Sequence, residues 1–463
     1  MKKVLFAAAA LAVALQASAA IEGQFIDCDA PHPTQPTQCP DNWALDLLDE
    51  SKAAIQGATA AIPRDRKHYF NRTGAGVHIF ILEEGIDGAN PDFKVLGDPA
   101  DDRLGESWGA GGFSEPSVGS HGTRVAALAA GLRFGVAKGA TIHSADARSQ
   151  INNSHGDGLL VRLNWIYGRV TSQTNPLKPA VLNMSFNIPR PVKDHNGLNV
   201  EPQLTQRVRD LINAGVFVTV SAGNHDSSNP GAYWPSVIPE VVLVGGIDEK
   251  GGRWVRDSTD PEFQALCVLK GDCGSNYGSL VDLWAPAKYV RSAVKKTNDD
   301  VQSPRLRSGT SFAAPLVAGL AALRLEQFPN ETPAQVLAAL KTNSARRNVD
   351  GTVAGDEYLV RSPVGTPPCL VMQRLFVNAT KTQDFLSTQL SESCPAGYSG
   401  VSQYNAAHGQ IMIGGIAPEA TLYYYTPSSG YTGLDQFNYT IYTSSGSSYG
   451  TGTVKVTVQP NHN

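Results

Sequence analysis

Gly76-Val-His-Ile-Phe-Ile-Leu-Glu-Glu-Gly85 is a short, nearly unbroken apolar run that stops on two carboxylates. Its apolar residues do not alternate with polar ones, so it reads as a parallel strand buried on both faces. The strand is expected over Val77–Leu82, and runs of the same kind recur at Ala180–Met184, Val216–Val220 and Val241–Val244. Helical periodicity lies between and beyond them, in Gly158–Tyr167, Gln203–Asn213, Ala313–Leu325 and Pro333–Leu340. Strands alternating with helices predict an α/β fold, a parallel sheet flanked by helices and joined by right-handed crossovers, from about Gly74 to Asp350.

The flanks read differently. Beyond Gly365, Leu422-Tyr-Tyr-Tyr, Phe437-Asn-Tyr-Thr-Ile-Tyr and Val454-Lys-Val-Thr-Val show period-two β-propensity between Ser/Gly turns. A separate all-β sandwich module is therefore expected over 366–463. Residues 21–40 are rich in Pro, Thr and Gln and form an irregular lead-in. Before them, Lys2 and Lys3 precede an apolar run from Val4 to Leu15 that closes on Gln16-Ala17-Ser18-Ala19-Ala20. A basic start, a short apolar stretch and an A-x-A end predict a signal peptide over 1–20, hence a secreted, extracellular protein. That run is too short to span a bilayer comfortably, and no other segment approaches about 18 apolar residues, so no integral membrane segment is expected.

Composition agrees. The 463 residues carry 38 basic and 42 acidic side chains for a formal charge of −4, which excludes nucleic acid as a partner because phosphate affinity needs clustered Lys and Arg. No run of like charge and no heptad appears. The six cysteines form three neighbour pairs, Cys28/Cys39, Cys267/Cys273 and Cys369/Cys394, none with zinc-type C-x-x-C spacing. An even count in an exported chain points to disulfides, with 15 connectivities open. Six glycosylation sequons, such as Asn71-Arg-Thr and Asn183-Met-Ser, matter only in a eukaryotic host.

The stretches that carry chemistry sit where strands end or helices begin. Glu83 and Glu84 close the first strand, Ser120-His-Gly-Thr-Arg-Val-Ala126 opens a small-residue helix, and Ser308-Gly-Thr-Ser-Phe-Ala-Ala-Pro315 opens another, with Pro expected in the first turn. A serine nucleophile needs a base to take its proton, and the base needs an acid to orient it. A helix N-terminus adds backbone N–H groups that face a developing oxyanion. The chain order of carboxylate, His and Ser matches the order known for subtilisin. Val218-Thr-Val-Ser-Ala-Gly-Asn-His225 adds Asn224, an amide donor at a strand end. A lipase reading fails, because it needs G-x-S-x-G and a His after the Ser, and the only later histidines, His408 and His462, lie in the appended module. Glu83 and Asp87 have an E-x-x-x-D spacing like that of sedolisins, but Gly85 at a strand end argues against the shared helix face this requires. His78 and His225 are expected to be structural.

From about Trp43 to Asp350 the chain resembles subtilisin-like serine proteases (subtilases), nearest the proteinase K group. The resemblance rests on Asp41-Asn-Trp-Ala-Leu-Asp, Glu83, His121-Gly-Thr, Gly135-Val-Ala-Lys, Leu182-Asn-Met-Ser, Ser221-Ala-Gly-Asn224, Ser275-Asn-Tyr-Gly and Gly309-Thr-Ser311-Phe-Ala-Ala-Pro, in that order. It implies a peptidase domain over 41–360 acting on protein or peptide substrates. It further implies Ser311 as nucleophile, His121 as base with Glu83 as its acid, Asn224 as oxyanion donor, and Ser185, Phe186 and Asn187 as substrate cleft. It also implies a structural calcium ion held by the backbone oxygens of Pro239 and Val241 and the Asp282 carboxylate, with no cofactor for catalysis. The module resembles a bacterial Ig-like or cadherin-like repeat through Tyr425-Thr-Pro-Ser-Ser-Gly-Tyr-Thr-Gly-Leu-Asp-Gln-Phe-Asn-Tyr-Thr-Ile441. Its tyrosines suggest contact with cell wall or extracellular polymer, although several are expected in the sandwich core.

Some residues depart from that pattern. Glu83-Glu84 stands where the family has Asp followed by Thr or Ser, and Arg124 where it has the second His of His-Gly-Thr-His. Ser185-Phe-Asn-Ile-Pro189 replaces Ser-Leu-Gly-Gly with bulkier residues, and only about twenty residues separate the leader from Trp43, short of the family's long inhibitory pro-domain. The alternative these departures favour is a subtilisin fold that binds without cleaving, or cleaves slowly.

Overall fold

The computed structural model describes residues 22–25, 43–58, 62, 67–95, 98–108, 113, 121–147, 156–259, 267–268, 271, 273–293, 306–349, 357–362, 372–380, 382–386, 398–403, 406–417, 420–443 and 445–459. Its largest sheet runs, strand beside strand, as Ala345–Arg347, Glu357–Leu359, Leu283–Pro286, Val242–Ile247, Phe217–Ser221, Ala180–Met184, His78–Glu83, Thr141–Asp146 and Leu104–Trp108. Every pairing is parallel except that of the first two. The apolar strands His78–Glu83, Ala180–Met184 and Phe217–Ser221 are hydrogen-bonded neighbours in the middle, as expected of runs with no solvent face. Their C-terminal ends lie along one edge, where an open α/β sheet presents its ligand site.

Two cores cover the sheet. One gathers Trp43–Asp49, His121–Ala130, Thr310–Gln327 and Pro333–Asn343; the other gathers Gly156–Val170 and Glu201–Asn213. The Thr310–Gln327 helix is Ala- and Leu-rich all round and is buried almost throughout, the pattern of a helix running through a core. Pro315 lies inside that helix, not in its first turn, and leaves the Ser311 carbonyl without its usual i+4 amide donor. The Pro333–Asn343 helix starts on a capping box, with Thr332 accepting from Gln335 N and the Gln335 side chain answering to the Thr332 backbone.

The C-terminal strands build a β module with its own core around Leu375, Tyr425, Phe437, Tyr439 and Val456. Tyr423, Tyr425 and Tyr439 are buried, as the sandwich reading expected of several tyrosines. The Tyr425 hydroxyl donates to Asp435 at 2.8 Å, satisfying the one polar atom that burial would strand. A second sheet crosses between the two parts: Lys67–Phe70 pairs with Glu22–Phe25, which pairs with Met372–Asn378, which continues through Ser448–Gln459 into the module. Cys267 and Cys273 are bonded to each other, while Cys28/Cys39, Cys369/Cys394 and the signal peptide lie outside the described residues.

Candidate active site

Glu83 is the last residue of a central strand, in register with Asp146 of the neighbouring one, and its side chain is buried. Gly85 then turns the chain with φ 98°, a conformation that favours glycine. The turn brings the Gly85 carbonyl against the start of the His121–Ala130 helix, where a Cβ on Gly122 would meet that oxygen at 2.0 Å. Glycine at 122 is therefore what lets the helix close on the strand end. The result is a hydrogen bond of 2.9 Å between His121 Nδ1 and Glu83 Oε2. With Nδ1 donating to the carboxylate, Nε2 keeps the lone pair a base needs.

The electrostatics of the pair follow from burial and charge. Burial pulls the His121 imidazole down, but the Glu83 carboxylate, its hydrogen bond and the Glu84 charge raise it further, so it lies above the ordinary histidine range. Glu83 Oε1 has no hydrogen-bond partner among the described residues. Residues 84–90 form turns and not a helix, so Glu83 and Asp87 share no helix face.

Ser311 sits in the first turn of its helix, one residue from Phe312, whose ring centroid is 5.8 Å from that of His121. Its hydroxyl donates to the Ser185 carbonyl at 2.9 Å. Asn224 faces the same helix start: its Oδ1 accepts from Thr310 N at 2.9 Å and from Thr310 Oγ1 at 2.7 Å. With that oxygen doubly engaged the carboxamide is fixed, and Nδ2 lies 3.6 Å from where a Gly309 Cβ would be. The Asn224 side-chain amide and the first-turn N–H of Ser311 thus belong to the same helix start, and both are donors of the kind an oxyanion requires.

Ser185, Phe186 and Asn187 follow directly from the Ala180–Met184 strand. Phe186 is buried, its ring 6.3 Å from that of Trp234. The Asn187 amide donates to Ser236 Oγ at 2.6 Å and Ser221 O at 3.2 Å, so it ties the end of the Ala180–Met184 strand to the segment that leads to Asn224. Arg124 is buried in the helix that begins with His121 and lowers the imidazole's affinity for a proton. His78 bonds and tilts against buried His143, and His225 stacks on Tyr233 at 4.7 Å, both as expected of structural histidines.

Sequence reasoning gave no role to Asn276, which is fully buried. Its Oδ1 accepts from His225 N at 3.0 Å and Ser227 N at 3.1 Å, while its Nδ2 donates to Ala222 O at 2.8 Å. It therefore staples both sides of the loop that presents Asn224. Its signal was the Ser275-Asn-Tyr-Gly stretch, read as a resemblance without a function.

The calcium expectation does not fit this geometry. Asp282 Oδ2 accepts from Leu243 N at 3.1 Å and Oδ1 from Lys341 Nζ at 2.9 Å, so a positive charge already occupies the carboxylate. No group of three or more His, Cys, Asp or Glu side chains able to hold a metal occurs among the described residues.

Comparison with known proteins agrees with the architecture. Residues 74–361 match the model of the subtilase family, and 367–458 match that of a bacterial Ig domain. An extracellular serine proteinase of Thermus sp. is 30% identical over 318 residues, 68% of this chain and 64% of that protein. The subtilisin-like protease 2 of Arthroderma otae is 30% identical over 264 residues, 57% of this chain and 53% of that protein. The chain thus spans less than two thirds of the length of these curated relatives. A crystal structure of a cold-adapted subtilisin-like serine proteinase superposes with a TM-score of 0.51 at 24% identity, covering 70% of this chain and all of that one, which establishes the likeness of fold.

Proposed function

The chain belongs to the subtilase family, and from that premise we propose that it is a secreted serine endopeptidase cleaving peptide bonds through an ester on Ser311. The observation that carries this reading is the 2.9 Å bond between His121 Nδ1 and a buried Glu83 carboxylate, at a helix start adjoining that of Ser311. In the reaction the Ser311 hydroxyl leaves the Ser185 carbonyl and gives its proton to His121 Nε2 as the oxygen attacks the substrate carbonyl carbon. The imidazolium that forms is held by Glu83, and the carbonyl oxygen takes its negative charge toward Asn224 Nδ2 and the Ser311 N–H. Collapse of the tetrahedral species returns the proton to the leaving amine, and water then repeats the sequence on the ester.

Export is supported by the N-terminal pattern and by the extracellular relative in Thermus. Among the described residues no helix is long and apolar enough to cross a membrane. Contact of the module with extracellular polymer is supported by the exposed His408 ring, stacked on Tyr431 at 4.2 Å.

One observation favours a second reading, a fold kept for binding alone: the Ser311 hydroxyl is bonded to Ser185 O and not to the imidazole. A fluorophosphonate probe decides between them. Labelling of the purified protein, lost together with casein hydrolysis in Ser311→Ala, is the outcome expected of the peptidase. An unlabelled wild type with no turnover on any peptide establishes the binding protein instead, and casein hydrolysis that survives Ser311→Ala removes the serine from the mechanism.

A further inference from the structure

Asp282 stands at the start of the Leu283–Pro286 strand, beside the strand Val242–Ile247 that follows the Pro239–Val241 turn. Its backbone N–H donates to Leu243 O at 2.9 Å and its Oδ2 accepts from Leu243 N at 3.1 Å, so the carboxylate is fixed between two strand beginnings. Held there with 23% of its side chain exposed, the carboxylate is placed to pair with a cation. Lys341 supplies one from the last turn of the Pro333–Asn343 helix, with Nζ 2.9 Å from Asp282 Oδ1. The lysine is held in place from both ends of its side chain. Its helix is anchored by the Thr332 capping box and by buried Val336 and Leu340, and its ammonium lies 5.5 Å from the Tyr358 ring centre.

The neighbouring carboxylate is also engaged: Glu240, in the turn itself, bonds Arg209 at 2.9 Å. Both acidic groups of this corner therefore already have a basic side chain. A calcium ion needs six to eight oxygen ligands with net negative charge among them. Here it would have to share its one candidate carboxylate with an ammonium that repels it.

We propose that Lys341 is this chain's built-in replacement for a calcium ion: its ammonium neutralises Asp282 and ties the Pro333–Asn343 helix to the sheet, so this end of the sheet is held without metal. The inference concerns how the fold is held and stands whether or not the chain is a peptidase.

The test is the melting temperature of the full-length protein, treated with chelator and then titrated with calcium chloride. In wild type, calcium should shift the melting temperature no more than it does in Asp282→Asn. Lys341→Ala should melt lower in chelator and regain about 2–4 °C in excess calcium, because removing the ammonium frees a carboxylate for an ion that binds only the folded state. The gain should vanish in the Lys341→Ala/Asp282→Asn double variant, and Lys341→Arg should behave as wild type. A wild-type calcium response that Asp282→Asn removes overturns the proposal, as does a Lys341→Ala protein that responds to calcium no more than wild type.

Discussion

The extra methylene of Glu83, relative to the aspartate its family carries, would displace the carboxylate by about 1 Å on a fixed backbone, a misplacement that can cost on the order of 100-fold in rate. The 2.9 Å contact with His121 shows the longer side chain delivering its oxygen to the imidazole all the same. Two consequences separate at this residue. Without the carboxylate the imidazole is free to take the unproductive tautomer, so Glu83→Gln should lower turnover by about three to four orders of magnitude. It should also move the acid limb of the pH profile. Only neutral His121 accepts the serine proton, and Glu83 raises its pKa, so wild-type activity should fall as pH drops through a midpoint above the ordinary imidazole value. In Glu83→Gln that midpoint should move down, because the charge that raised it is gone. Peptide hydrolysis from pH 5 to 9 in both proteins measures this, and an unmoved midpoint means the titrating base is not the histidine facing Glu83. Glu84→Ala in the same assay should be far milder; a greater loss there than at Glu83 puts the carboxylate one residue off.

At the scale of elements, the site depends on how closely two helices can approach, and glycine decides this. Gly319 lies where the Thr310–Gln327 helix meets the His121–Ala130 helix: a Cβ there would come within 2.6 Å of the Ala129 carbonyl and of Val136. Gly168, also inside a helix, has nothing within 4 Å of its Cβ position. The same substitution should therefore have opposite signs. Gly168→Ala should stabilise by about 0.5–1 kcal/mol through helix propensity alone, whereas Gly319→Ala should destabilise by about 1–3 kcal/mol as the helices are forced apart. Urea melts of the two variants check this, and equal effects would mean that packing at Gly319 does not constrain the pair. The elements themselves were unevenly legible. The strands read from apolar runs, such as Ala180–Met184, are present within a residue or a few at each end, because burial on both faces leaves no polar alternation to misread. Thr141–Asp146 was missed because His143 and Ser144 interrupt its apolar pattern. Both are nevertheless buried, and the His143 ring is satisfied by Glu106 N and His78 at 2.9 Å each, a solution made across three strands and invisible in any one of them. Glu83, His121 and Ser311 could be picked out from short local motifs, while the Asp282–Lys341 pair, 59 residues apart, could not.

Over the whole molecule, the peptidase-like part and the Ig-like part are joined by backbone hydrogen bonds. Glu22–Phe25 is antiparallel to Lys67–Phe70 on one side and parallel to Met372–Asn378 on the other, so four residues near the start of the chain complete a sheet whose two halves lie about 300 positions apart. Side-chain contact reinforces the seam, with Gln459 Nε2 donating to Pro91 O at 3.4 Å. A strand paired on both edges cannot lose its ladder without exposing two unpaired edges, so unfolding of either part should be felt by the other. Proline at Gln24 removes the backbone donor at the middle of this strand and fixes φ near −65°, away from the roughly −120° to −140° of a regular strand. Gln24→Pro should therefore uncouple the parts: calorimetry should resolve two transitions where wild type gives one, with the lower transition several degrees below the wild-type midpoint. Casein hydrolysis at 25 °C should change little, because Glu83 ends a strand of the other, larger sheet and His121 and Ser311 lie on helices packed against that sheet. If the variant keeps a single transition at the wild-type temperature, the strand is a passenger and the two parts are coupled, if at all, through the Gln459 side of the seam.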